Sequence, residues 1–225
     1  GEIEYGHGPL LTRGADEGKP RLPLPSGARV RHGAPMDGDQ PAFRPNGIIT
    51  LTSDFGTAGP YVGVLQGVML GQLPTARVVD ITHDTEVHWP VEAGFWIEHA
   101  YRSFPVGTVH VAVVESGGGT DRPGVVVELD GHAFVGPDNG LLARLAERPG
   151  ARVYAITLGT LKQLGTAKVA PTFRGRDAQA PVGGALAAGK LAPADVGPEV
   201  DDWAPSLLEA PEVKGQEARG QVVTV

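Results

Sequence analysis

Two short stretches concentrate the residues able to do chemistry. Ser53-Asp54-Phe55-Gly56-Thr57-Ala58-Gly59-Pro60-Tyr61 sets a carboxylate beside aromatic rings, and Glu115-Ser116-Gly117-Gly118-Gly119-Thr120-Asp121-Arg122 combines a carboxylate, a triple glycine and a guanidinium. Glycines without Cβ atoms allow backbone amides to approach a ligand closely. The second stretch is not a Walker A loop, because no Gly-Lys-Ser/Thr follows, and neither stretch is a GxGxxG opening a helix. By itself the triple glycine fits a structural turn as well as a ligand cradle. Asp54 is likewise open between capping the turn after it and touching a ligand. Cysteine is absent, which excludes disulfides, thiolate nucleophiles and Cys-based metal sites. His83, His88, His99, His110 and His132 lack HExxH or comparable spacing, so no metal site is expected and they read as surface or hydrogen-bonding residues.

The elements that must position these loops follow from periodicity. Ile48-Ile49-Thr50-Leu51-Thr52, Arg77-Val78-Val79-Asp80-Ile81 and Thr108 to Val114 read as strands, and Pro60 to Leu73 and Val91 to Phe104 as the helices between them. Apolar strands joined by helices predict an α/β fold: a Rossmann-like, mostly parallel sheet with helices on both faces and ligands beyond the carboxyl ends of the strands. The carboxylate loops follow the first and third strands, so they face one crevice. Val125 to Leu129 and Ala133 to Val135 flank Asp130-Gly131, a hairpin signal, and a strand from Arg152 to Thr157 and a helix from Pro181 to Gly189 complete the domain. Pro137-Asp138-Asn139-Gly140 reads as a tight turn entering a helix, and Asp201-Asp202 beside Trp203 as a solvated linker.

Length and composition bound the rest. The 225 residues suffice for one α/β domain with a core, and 41% hydrophobic with 20% charged residues is an ordinary globular balance. A net charge of -7 disfavours capture of nucleic acid or an anionic membrane surface, so no nucleic-acid partner is expected. No apolar run approaches the roughly 20 residues that span a bilayer, so the chain is not expected to be an integral membrane protein. Residues 1–46 mix proline, glycine and charge without period and read as an extended arm, either disordered or ordered against another subunit. The domain proper is expected over 47–200. Residues 201–225 form a linker ending in a strand, Gly220 to Val225, whose edge another chain could cover. The sequence opens on Gly1, which leaves a removed leader, a removed tag or a partial chain open, and with them the compartment: cytoplasmic for an enzyme, or exported.

Six strings carry a resemblance. Leu51-Thr52-Ser53-Asp54-Phe55-Gly56, Pro60-Tyr61-Val62-Gly63, Val79-Asp80-Ile81-Thr82-His83, Gly107-Thr108-Val109-His110-Val111, Gly136-Pro137-Asp138-Asn139-Gly140-Leu141-Leu142 and Pro171-Thr172-Phe173-Arg174-Gly175-Arg176-Asp177 resemble the S-adenosyl-L-methionine hydroxide adenosyltransferases, relatives of the adenosyl-fluoride and adenosyl-chloride synthases. The resemblance covers about residues 47 to 200 in order and at family spacing. It implies S-adenosylmethionine as substrate, no separate cofactor, and water displacing methionine at the 5′ carbon to leave adenosine. It also implies a homotrimer, and a C-terminal β-barrel that this sequence is expected to lack.

Carried over position by position, the resemblance implies Glu115, Arg122 and Arg174 as the catalytic group, with Asp54, Trp89, Gly118, Phe173 and Gly175 binding substrate. Glu115 stands where hydrolytic relatives have aspartate, and Arg174 where they have histidine. A guanidinium has donors only and cannot act as a base. One acid between two guanidiniums would leave the site net positive against a cationic sulfonium. Two functions are therefore expected from this sequence: an S-adenosylmethionine hydrolase with an altered centre, or an inactive relative serving as a scaffold or accessory subunit that binds protein partners through residues 1–46 and 220–225.

Overall fold

Val, Ile and Thr runs too apolar for solvent on either face pair into one sheet. In a computed structural model, which describes residues 41–115, 124–208, 212–214 and 217–223, the strands are β1 (Ile48–Ser53), β2 (Arg77–Thr82), β3 (Val109–Val113), β4 (Gly124–Leu129), β5 (His132–Pro137) and β6 (Arg152–Ala155). Their order across the sheet is β2-β1-β3-β5-β4-β6. Parallel pairing joins β2, β1, β3 and β5, while β4 runs antiparallel to β5 and β6. The reversal at β4 comes from the Asp130-Gly131 turn, where both residues take positive φ (51° and 74°). Such a two-residue turn matches the natural strand twist.

The period-two alternation of the strands sorts side chains into two cores. Ile49, Leu51, Val109, Val111 and Val113 pack with Leu65 and Met69 of α1 (Tyr61–Gln72) and Val182 and Leu186 of α5 (Ala180–Ala187). Ala112, Val114, Val125, Val127 and Phe134 pack on the opposite face with Ala93 and Ile97 of α2 (Pro90–Ala100) and Leu145 of α3 (Ala143–Ala146). α4 (Leu158–Gln163) adds Leu161 to the first core. Helices α1 and α5 meet closely, since a Cβ on Gly184 would lie 2.8 Å from the Met69 carbonyl oxygen.

This topology opens the crevice. From β1 the chain crosses one face through α1 to β2, then crosses the other face through α2 to β3 on the far side of β1. The two connections leave in opposite directions, so the carboxyl ends of β1 and β3 part at a switch point, where open α/β sheets bind ligands.

Several boundaries differ from the sequence reading. Residues 41–46 pack on the domain: the Phe43 N–H donates to Glu128 Oε1 (3.2 Å), and the Asn46 amide donates to the Val106 carbonyl (3.0 Å). Residues 1–40 lie outside the described part. The helix expected as far as Phe104 is α-helical only to Ala100 and ends in a tighter turn, Tyr101–Ser103. Asp201 and Asp202 are exposed, while Trp203 beside them packs against the α2-side core and the following Ala204 N–H donates to Asp138 Oδ1 at 2.7 Å. Antiparallel hydrogen bonds from residues 196–200 cover the outer edge of β6. A short hairpin of β7 (Glu212–Lys214) and β8 (Glu217–Arg219) follows, and residues 220–223, expected as strand, are not in one.

Candidate active site at the carboxyl ends of β1 and β3

Beyond these strand ends lies a cavity of about 450 Å³, within the ordinary range for small-molecule sites. Phe55, Tyr61, Val64 and Phe173 form its apolar wall, and Asp54, His88, Glu115 and Arg176 its polar groups. Phe55 and Tyr61 meet at 5.9 Å between ring centroids, and the Arg176 guanidinium sits 4.5 Å above the Phe173 ring.

Hydrogen bonds sew three loops into one unit beneath this cavity. Ser53 Oγ and His83 Nδ1 share a buried bond of 2.8 Å, the Thr85 hydroxyl donates to the Ser53 carbonyl (3.1 Å), and the Gly56 N–H donates to the His83 carbonyl (2.8 Å). Asp54 caps no helix. Its Oδ2 accepts the backbone N–H of His88 at 3.0 Å, and His88 Nδ1 lies 2.6 Å from the backbone carbonyl of Glu115. His88 thus links the end of β1 to the end of β3. It does so with φ at 62°, a left-handed conformation uncommon outside glycine.

Glu115 is a perturbed acid. Burial, the largest influence, pushes its carboxyl above the ordinary glutamate range; the Arg174 guanidinium pulls it back, the Asp54 charge raises it again, and His88 lowers it. Its Oε1 is buried without a hydrogen-bond partner among the described residues. The expectation of a lone acid is corrected by this arrangement: Asp54 supplies a second carboxylate whose charge reaches Glu115.

Phe173, Arg174 and Gly175 sit where helix geometry changes. Pro171–Phe173 is a tight turn, Gly175–Gln179 a π-helical turn, and α5 continues from there. Widened turns of this kind recur at functional sites. Gly175 is required by packing, since a Cβ there would lie 2.5 Å from Val113 Cγ1 of β3. Asp177 anchors the segment by accepting the Ala170 N–H (2.9 Å) and pairing with Arg176 Nε (2.6 Å). The Arg176 bond, together with the weaker pull of Ala170, holds the Asp177 carboxyl below the usual aspartate range.

A family model for the SAM hydroxide adenosyltransferase N-terminal domain matches residues 49–197. The chain belongs to that family. It is 39% identical over 182 residues to the (R)-S-adenosyl-L-methionine hydrolase of Salinispora arenicola, covering 79% of this chain and 67% of that protein. To the (R)-S-adenosyl-L-methionine hydrolase of Thermus thermophilus it is 35% identical over 187 residues, 78% of this chain and 69% of that one. An uncharacterized conserved protein of known structure from Thermotoga maritima superposes with a TM-score of 0.67 at 32% identity, over 73% of this chain and 63% of that chain. The chain therefore spans about two thirds of the length of these adenosyltransferase-family relatives.

Of the residues singled out from sequence, Asp54, Glu115, Phe173 and Gly175 line the cavity, and Arg174 acts on Glu115 by charge. Trp89 does not line it; half-buried at the entrance to α2, it donates its backbone N–H to the Glu86 carbonyl at 3.0 Å. Arg122 and Gly118 lie outside the described residues. The sequence reading took His88 as a surface or hydrogen-bonding residue and gave Tyr61 and Arg176 no role of their own at the site. His88 had one available signal, its place between the carboxyl end of β2 and Pro90 at the start of α2, which brings it to the same end of the sheet as Asp54 and Glu115. Among the described residues no group of three or more His, Cys, Asp or Glu is placed to hold a metal ion, and no helix is long and apolar enough to cross a membrane.

Proposed function

We propose that the chain carries the water-activating half of an S-adenosylmethionine hydrolase, converting S-adenosylmethionine and water to adenosine and methionine. The observation that carries this reading is the aromatic-walled cavity with Asp54 and Glu115 at the switch point, in a chain of this family. A sulfonium is already an activated leaving group, so the protein need only hold water in line with C5′, exclude other water and balance charge. Phe55, Tyr61 and Phe173 offer apolar and π surface to a nucleoside and a cationic sulfonium. The carboxylates of Asp54 and Glu115 oppose the sulfonium charge. Glu115 Oε1 accepts a hydrogen bond from the attacking water, and the charge of Arg174 acts on that carboxylate. Water oxygen bonds to C5′, the C5′–S bond breaks with its electron pair going to sulfur, and one proton is released.

Incubating the protein with S-adenosylmethionine of (R) and of (S) configuration at sulfur, and separating products by chromatography, tests the reading. Equal amounts of adenosine and methionine are expected, with the (R) form preferred as in the names of the relatives. Arg174 favours a second reading, an inactive relative with a scaffold role, because a donor-only side chain takes no proton. No turnover and no thermal shift with adenosine would select that alternative.

A further inference from the structure

We propose that His88 is a further catalytic residue, the base that takes the proton of the attacking water; this rests on the hydrolase reading above. The Glu115 carbonyl can only accept, so the 2.6 Å bond to His88 Nδ1 requires that nitrogen to carry the hydrogen. In neutral His88 the lone pair is therefore on Nε2, which bonds no described residue, and the side chain lines the cavity. The left-handed backbone at φ 62° is held by the Asp54 carboxylate on the His88 N–H, so the two acid-bearing loops aim one imidazole. Strain retained at a cavity wall is a pointer to function.

The imidazole gives the released proton a place close to both carboxylates. When water attacks, the sulfonium becomes a neutral thioether and its positive charge passes to the water oxygen. Transfer of a proton to Nε2 places that charge on an imidazolium that still faces Asp54 and Glu115. Any proton transfer within the crevice keeps its net charge, so the choice of acceptor rests on geometry, the Nε2 lone pair at the cavity wall. Arg176 of the lining and Arg174, whose charge reaches Glu115, accept no proton.

The test uses the full chain, with His88→Gly and His88→Asn compared with wild type. Both replacements tolerate positive φ, and the asparagine amide can still donate to the Glu115 carbonyl, so that variant keeps the clamp and loses only the basic nitrogen. In each, kcat is expected to fall about 100-fold with KM little changed. Added imidazole should restore turnover to His88→Gly, and substituted imidazoles should do so at rates that track their basicity, a dependence no structural role produces. Near wild-type kcat in His88→Asn, a change confined to KM, or rescue that is absent or indifferent to basicity overturns the assignment while the hydrolase reading stands. No turnover by the wild-type chain overturns both.

Discussion

Two groups of histidines occupy opposite ends of the molecule's polar economy. Inside the sheet, His110 is 1% exposed, shares a 2.8 Å bond with Thr50 Oγ1 through Nδ1 and a 3.2 Å bond with His132 through Nε2, and stacks on Phe134 at 4.8 Å. At the crevice, His88 is exposed, adopts a left-handed backbone and commits one ring nitrogen. The ring in the core has both nitrogens satisfied and no route to a ligand. The crevice ring has geometry that packing alone does not reward. His110 is thus satisfied by protein at both ring nitrogens, whereas His88 at the crevice bonds described protein through Nδ1.

The largest effect expected from this contrast is on stability in the sheet. His110→Ala would leave Thr50 Oγ1 and His132 Nδ1 unpaired around a void, at a cost of about 3 kcal/mol. Denaturant unfolding measures it, and turnover per folded molecule should be unchanged. Burial, with the His132 charge adding to it, pushes His110 down to about 3 from an ordinary 6.5. Above 6.5 both folded and unfolded states hold it neutral, and stability is full. Below that the unfolded chain binds a proton the folded chain refuses, so stability falls as pH drops toward about 3, by up to roughly 1.4 kcal/mol per pH unit. His110→Phe keeps the stacking and should flatten that acid limb. An unaltered limb would break the comparison.

The next effect belongs to the crevice and has the opposite signature. Glu115→Gln removes a carboxylate that burial pushes upward. A raised folded pKa means that protonation favours the folded state, so stability contributed here grows as pH falls through that pKa, against the trend at His110. The variant should therefore melt no lower than wild type at neutral pH by calorimetry, while adenosine formation drops about 100-fold. A substantial loss of melting temperature would move Glu115 from the chemical region to the structural one.

The sheet was legible because its signals are local. Runs such as Val109 to Val113, the Asp130-Gly131 turn and the helical spacing of Leu65 and Met69 each report on neighbours in sequence, and the topology rules then fix the crevice between β1 and β3. Asp54 and Glu115 were legible for the same reason, as polar residues directly after apolar strands. His88 was not, since its role rests on partners 34 and 27 residues away and on a backbone angle that no side-chain pattern reports. The second carboxylate near Glu115 was missed on similar grounds. Asp54 and Glu115 belong to different loops, and only the parallel pairing of β1 with β3 sets their charges against each other. Trp89 was placed by alignment of an aromatic position, but the chain turns at His88 and carries the neighbouring indole out of the cavity lining.

The smallest expected effect falls on the residue that joins the two regions. Gly175 opens the π-helical turn that carries Arg174 and Phe173 to the crevice, and its Cα faces Val113 in the first core. In Gly175→Ala the new methyl would meet Val113 Cγ1 at 2.5 Å, so the turn must shift, at a cost of about 1–2 kcal/mol. Turnover should fall with it, because moving the turn moves the guanidinium facing Glu115. Val113→Ala removes the obstructing methyl groups and opens a small void of its own. If strand and turn communicate only through this contact, the double variant should be destabilised by less than the sum of the single changes, with a coupling on the order of 1 kcal/mol, and should regain turnover. Additive losses would mean that the turn is held by its Asp177 anchor instead of by β3, and would separate the crevice from the core more sharply than the packing indicates.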